Sequence, residues 1–218
     1  MQNTVKNELQ NILSGKSQVR DGATIQAVAG HLGDGSQTGK TAENEKLFRI
    51  QETARLESII TDKKLWVKEI SASKYIAEGA EQKVFIKDAF HVLKLNTGVF
   101  YKSWRDYLFS LLLHNYFFPD TAYSLLGFYR ENSDLLAVVQ QPYISSDEVT
   151  DLNQVNAFMN YNGFLKTRYN DYYNHELGII VEDLHDENVL TSKGVLYFID
   201  TVFYLTDDLW KPKTNSNT

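Results

Sequence analysis

The stretch from Trp66 to Gln141 constrains the fold most, because its hydrophobic period changes twice. Short alternating or β-branched runs at Trp66–Ile70, Lys74–Ala77, Lys83–Ile86 and His91–Leu95 are broken by Ser, Gly and Asp. Runs of that length with turn residues between them predict strands in an antiparallel meander. The period then lengthens. Trp104, Leu108, Leu111, Leu112 and Tyr116 recur at helical spacing between about Lys102 and Phe118, and Pro119 closes the run. Strands return at Tyr123–Tyr129 and Leu135–Gln141, joined by a turn at Glu131-Asn132-Ser133.

On either side the signals are more local. Residues 1–43 are rich in Gly, Ser, Gln, Asn and Thr, with weak periodicity at Val5–Leu13 and Ile25–Leu32, which predicts short, loosely docked helices. The tract Gly33-Asp-Gly-Ser-Gln-Thr-Gly-Lys-Thr41 invites comparison with a phosphate-binding loop. It fails on spacing, since Asp34 stands where a glycine is needed, and no apolar strand precedes it. A helix is predicted from Thr41 to about Asp62, with Leu47, Ile50, Ala54, Leu56 and Ile59–Ile60 on its apolar side. After Pro142 come a polar connection, a helix at about Val149–Tyr161 ended by Gly163, and a strand or hairpin over Phe164–Tyr173. Gly178–Val181 is apolar, Asp183–Asn188 is a polar loop, and Val189–Leu190 with Val195–Ile199 bracket a turn at Ser192-Lys-Gly194. The tail after about Trp210 is polar.

Composition sets outer limits. A chain of 218 residues with 43% hydrophobic content has enough apolar side chains for a core. With no cysteine it cannot use a disulfide framework or a thiol nucleophile. No apolar stretch reaches the roughly 20 residues that span a bilayer, and the N-terminus has no apolar leader, so the expectation is a cytoplasmic protein without a membrane partner. The formal charge of -6 argues against general nucleic-acid binding. Its distribution is uneven: Met1–Pro119 carries +3 and Asp120–Thr218 carries -9.

That acidic half holds the most informative segment, Ile179-Ile-Val-Glu-Asp-Leu-His-Asp-Glu-Asn-Val-Leu190 followed by Leu196-Tyr-Phe-Ile-Asp200. An apolar strand delivers Asp183 to a loop, Asn188 follows five residues later, and a tight hairpin returns Asp200 to the same end. Three oxygen-bearing side chains in one place suit Mg²⁺, which prefers oxygen ligands and shares its shell with water and phosphates.

Asp183-Leu-His-Asp-Glu-Asn188 resembles the D-x-x-x-x-N catalytic loop of the protein kinase-like superfamily, and Asp200 after Tyr197-Phe-Ile resembles the metal-binding Asp of its D-F-G segment. Tyr75 to Phe85 is similar to a kinase glycine-rich hairpin, reduced to Gly79 and Ala80 before Val84, and His91-Val-Leu-Lys-Leu95 to the strand whose Lys, here Lys94, meets the nucleotide phosphates. Ala137 to Ile144 resembles the hinge, with main-chain groups around Gln141–Tyr143 meeting adenine. More narrowly, EGAEQKVF, the pattern over His114–Phe128, QQPYI, and DLH-ENVL with its FID sequel resemble the kinase domain of polyvalent proteins on bacterial mobile elements. These blocks cover roughly Trp66 to Asp200.

The resemblance implies an α+β, protein kinase-like fold. A polar, helical extension over 1–62 would precede a β-rich N-lobe over 63–141, an abbreviated C-lobe over 142–210 and a tail over 211–218. It implies an ATP- and Mg²⁺-dependent phosphotransferase acting on a hydroxyl of a protein or small molecule. Asp183 would be catalytic beside Lys94. Asn188 and Asp200 would hold the metal, and Gly79, Ala80, Val84, Lys94, Gln141 and Tyr143 the nucleotide.

Departures keep a second reading open, a pseudokinase or nucleotide-dependent binding module that recruits a partner. Val181-Glu182 replaces the His-Arg before the catalytic Asp, Thr201-Val202 follows Asp200 in place of Phe-Gly, and no A-P-E segment follows. No glutamate stands clearly opposite Lys94, and Asp106 is the nearest acid on the predicted helix. Blander roles compete for single residues: Asp183 and Asn188 as turn formers, Lys94 as a strand lysine reaching water, Gly79 as a hairpin glycine, and His185 as a loop-shaping hydrogen-bonder.

Overall fold

The computed structural model describes residues 2–33, 42–70, 74–78 and 82–211. The chain divides into two compact units, Gln18–Ser145 and Met1–Ser17 with Ser146–Thr218. The residues expected to form an N-terminal extension are therefore shared between both units.

In the Gln18–Ser145 unit, helices α2 (Ala23–Leu32) and α3 (Ala42–Asp62) precede strands β1 (Lys74–Glu78), β2 (Gln82–Ile86) and β3 (His91–Asn96). Helix α4 (Trp104–Phe117) and strands β4 (Ser124–Glu131) and β5 (Asp134–Pro142) follow. The strands form one antiparallel sheet in the order β1-β2-β3-β5-β4. Its faces follow from register, since directly paired residues point the same way. Leu93, Leu95, Leu136 and Val138 cluster on one face, joined by Val67, Ile70, Phe85 and Tyr129. The other face carries Lys94 with its partners Val84 and Val139, and Val92 with its partner Gln141.

Helix α4 starts where Ser103 caps it, the Ser103 hydroxyl accepting the Asp106 N–H at 2.9 Å. It ends before Pro119, as predicted. The run Trp66–Ile70 is not a strand; it contributes one bridge, Trp66 to Phe128, beside the sheet edge. Gly127 permits that approach, because a Cβ there would lie 2.2 Å from the Leu65 carbonyl oxygen.

Helix α3 forms where periodicity predicted it, but with a different buried stripe. Leu47 and Ile50 are 52% and 56% exposed, whereas Leu56 and Ile60 are fully buried and Glu52 is 2% exposed. Helix α2 also departs from expectation, because Ile25 and Val28 are fully buried.

In the second unit, helix α1 (Gln2–Leu13) buries Leu9 and Ile12. It is tied to the chain's far end, Lys6 Nζ donating to the Asp208 carbonyl at 2.5 Å and Gln10 Nε2 to the Leu209 carbonyl at 2.7 Å. The N-terminal helices are thus docked, against the loose docking that their composition suggested. Helix α5 (Leu152–Tyr161) starts at an Asp151 cap, three residues later than predicted. Strands β6 (Leu165–Lys166), β7 (Tyr172–Asn174), β8 (Ile179–Glu182) and β11 (Val202–Leu205) form a sheet in the order β11-β8-β7-β6, and β9 (Val189–Ser192) with β10 (Val195–Phe198) form a hairpin. Strand β11 was not expected. Its four residues pair with β8 from Val202↔Glu182 to Leu205↔Ile179, so β8 is covered on both edges. The hairpin turn is held from outside: Asp147 Oδ1 accepts the Lys193 N–H and Glu148 Oε1 the Gly194 N–H, both at 3.0 Å.

Candidate active site

In the Gln18–Ser145 unit the site is built around Lys94. Central placement in the sheet leaves this side chain 4% exposed. Its ammonium donates to the Tyr123 hydroxyl at 3.3 Å and lies 5.3 Å from the centre of that ring. An ammonium so buried requires polar or π partners to offset lost hydration. The blander reading of Lys94, a head reaching solvent, does not apply.

The surroundings of Tyr123 are equally ordered. Asn115 on α4 accepts the Tyr123 N–H at 2.7 Å and donates to its carbonyl at 2.8 Å. His114 is fully buried, its ring 4.5 Å from that of Tyr123, and its Nε2 lies 3.0 Å from the Thr121 carbonyl. A carbonyl only accepts, so Nε2 carries the proton. Burial pushes the His114 pKa down to about 3; the Thr121 bond opposes this and the Lys94 charge adds to it. The imidazole is neutral beside the lysine.

Val84 is partly buried and directly opposite Lys94. Gln141, on the same face, spends its side-chain amide on the Thr121 carbonyl at 2.8 Å. Tyr143 donates its main-chain N–H to the Phe90 carbonyl at 2.7 Å, so that donor is already engaged. Gly79 and Ala80 lie outside the described residues.

Asp106 is not the partner of Lys94. It occupies the first turn of α4, where its charge acts on Arg49 and Glu52. His114 follows eight residues later, about 12 Å along the helix axis. The carboxylate that sequence reading missed is Glu52, whose Oε2 and Oε1 accept the N–H groups of Trp104 and Arg105 at 2.6 and 3.2 Å. Burial raises its pKa, and the Trp104 and Arg105 bonds and Arg49 oppose that shift. A glutamate in a helix ordinarily reads as surface, and only the i, i+4 spacing of 52, 56 and 60 could have marked it.

A cavity of about 700 Å³ lies elsewhere in this unit, lined among others by Arg49, Phe100, Lys102 and Trp104. It includes none of the site residues predicted from sequence.

In the second unit, Asp183 follows β8 directly and adopts φ +70°, a conformation that Asp tolerates better than most residues. Its N–H donates to Asp171 Oδ1 at 3.2 Å, and the Leu184 N–H to the Asn170 carbonyl at 3.1 Å. Asn188 closes the loop. Its Nδ2 donates to the Asp183 carbonyl and to Asp183 Oδ2, each at 2.9 Å. His185 accepts the Glu187 N–H on Nδ1 at 3.2 Å, which leaves the proton on Nε2, 3.3 Å from Asp183 Oδ1. His185 therefore shapes the loop, as its blander reading had it. The Asn188 carbonyl accepts the N–H groups of Ile199 and Asp200 at 2.9 and 3.3 Å. One asparagine thus ties Asp183 to Asp200 through two different groups.

The donor set fits a hard cation. With its nitrogen spent on Asp183, Asn188 retains Oδ1, and Asp200 adds a partly exposed carboxylate. Among the described residues no group of three or more His, Cys, Asp or Glu side chains could hold a metal. Magnesium does not require one, because waters and substrate phosphates complete its octahedron.

Mixed helical and antiparallel sheet content is compatible with a kinase-like α+β class. A family of serine/threonine/tyrosine kinases found in polyvalent proteins matches residues 49–207, and the chain belongs to that family. No curated protein and no solved structure matches the chain. Among the described residues no helix is long and apolar enough to cross a membrane.

Proposed function

We propose that the protein transfers the γ-phosphoryl group of ATP, bound with Mg²⁺, to a hydroxyl of a protein or small-molecule acceptor. The observation that carries this reading is the double role of Asn188. Its amide nitrogen fixes the Asp183 carboxylate while its main-chain oxygen holds the Asp200 backbone, so acceptor-orienting and metal-binding groups share one anchor.

Each residue then has one task. Asp183, its side chain 58% exposed, accepts a hydrogen bond from the acceptor hydroxyl and takes its proton as the oxygen attacks the γ-phosphorus and the bond from that phosphorus to the bridging oxygen breaks, releasing ADP. Asn188 Oδ1 and the Asp200 carboxylate would hold Mg²⁺, which when bound neutralises phosphate charge. Lys94 places a positive charge on a rigid strand to face the phosphates, and Val84 beside it supplies apolar surface for the nucleotide. Positioning and charge carry most of the stabilisation in phosphoryl transfer.

The test is transfer of label from γ-labelled ATP, with thermal unfolding measured in ATP and Mg²⁺. Nucleotide at 100 times its Kd should stabilise the protein by about 2.7 kcal/mol, and transfer should vanish in Asp183→Asn. A metal-dependent shift without transfer identifies a nucleotide-binding module. Absence of any shift refutes the proposal.

A further inference from the structure

We infer that Glu52 is a positioning residue for Lys94 and that α3 is an in-chain brace for α4. The inference rests on the nucleotide role proposed for Lys94 and adds the residue that controls it. Three α3 side chains converge on the first turn of α4. Glu52 takes the N–H groups of Trp104 and Arg105, two of the four donors that a helix start leaves without partners. Thr53 Oγ1 accepts the Trp104 indole N–H at 3.1 Å. Arg49 lies over the Trp104 ring at 4.5 Å and donates to the carbonyls of Thr97 and Gly98 at 3.2 and 3.1 Å, fixing the connection that leads from β3 into α4.

Helix α4 carries this restraint to its other end. His114 and Asn115 hold Thr121 and Tyr123, Tyr123 receives the Lys94 ammonium, and Thr121 receives Gln141. Every link is a hydrogen bond or is rigid helix, and all lie within one unit. Such a chain conveys displacement because a helix is stiff along its axis, and mutations along contiguous networks change distant binding by a few-fold to about 30-fold. The charges facing Glu52 are Arg49 and Asp106. Arg49 alone offers attraction, so the carboxylate is retained mainly by the two main-chain donors.

The experiment measures ATP affinity and unfolding of the full chain for the wild type, Glu52→Ala, Lys94→Ala and the double variant, all at a temperature where each is folded. The expected result is ATP binding about tenfold weaker in Glu52→Ala, and no further loss when Glu52→Ala is added to Lys94→Ala, because the two act through one contact. Glu52→Gln, of nearly the same volume, keeps one acceptor, should recover part of the affinity, and carries the measurement if the alanine variant does not fold. If folded Glu52 variants bind ATP as the wild type does, or if their effects add to that of Lys94→Ala, Glu52 serves the fold alone and the inference is overturned while the nucleotide reading stands. Wild-type protein that shows no Lys94-dependent ATP binding overturns both.

Discussion

Lys94 and Asp183 are candidates for one reaction, yet the chain holds them by unlike means. Lys94 is buried in a sheet, and it reaches residues distant in sequence, Tyr123 by a hydrogen bond 29 positions on and His114 by its charge 20 positions on. Asp183 is more than half exposed on a loop, and its bonds come from Asp171, His185 and Asn188, all within twelve residues. The first is fixed by tertiary packing and the second by turn chemistry. In the proposed reaction a cation facing two phosphates gains from burial, whereas a carboxylate meeting an arriving hydroxyl has to remain accessible.

The largest expected difference between the two regions is in their response to acid. His114 has an ordinary pKa of 6.5 unfolded and about 3 folded. Between those values the unfolded chain binds a proton that the folded chain refuses, so stability falls as pH falls. The stabilisation is complete above 6.5 and lost on approach to 3, with a span on the order of 5 kcal/mol. Glu52 acts in the opposite sense: its raised pKa makes the folded form the stronger proton binder, so its contribution is greatest at low pH and declines as pH rises through the folded value. Comparing urea midpoints of the wild type and His114→Gln, followed by tryptophan fluorescence, isolates the histidine. The wild type should lose about 3 kcal/mol more than the variant between pH 7 and pH 4. Parallel losses would mean that His114 is not the buried neutral group described.

Activity and stability should separate differently in the two regions. Lys94→Met removes a buried charge together with its desolvation cost, so the urea midpoint should hold or rise, while transfer from ATP falls about 10²- to 10³-fold. Asp183→Asn should lower kcat by roughly 10²- to 10⁴-fold. Its midpoint should move little, because the asparagine oxygen still accepts from Asn188. A large stability loss in Asp183→Asn, or none of the expected activity loss in Lys94→Met, would break the contrast between packed cation and accessible carboxylate.

The same contrast governs what could be read from sequence. Strands β1 to β5, α4 with its Pro119 stop, and the loop from Asp183 to Asn188 were all legible, because period and turn residues are local signals. Lys94 was identified as inward by its apolar neighbours. Its cradle was not legible: nothing in the sequence pairs His114, Asn115 and Tyr123 with a strand 20 residues earlier. Glu52 was missed because α3 buries a carboxylate while exposing Leu47 and Ile50, which reverses the ordinary hydrophobic rule. Asp106 was named only as the nearest acid on the predicted helix, and its place in the first turn of α4 carries it away from Lys94. Strand β11 was overlooked because four residues, Val202–Leu205, become a strand only by pairing with β8.

The smallest expected effect sharpens the local side of the comparison. Position 188 requires a donor toward Asp183 and retains an acceptor oxygen, and among short side chains an amide supplies both. Asn188→Ala removes the donor and should cost about 1 kcal/mol at pH 7. Asn188→Asp restores an acceptor but sets a second carboxylate where the Asp183 oxygen lay 2.9 Å from a donor. Like charges this close hold one proton between them, so the pair should take up that proton on mild acidification. The midpoint of Asn188→Asp should therefore fall below that of Asn188→Ala at pH 7 and recover toward it near pH 5, while neither variant should gain the stability from added Mg²⁺ and ATP that is expected of the wild type. If Asn188→Asp matches the wild type at pH 7, the amide is not what orders the loop, and Asp183 is held through Asp171 and His185.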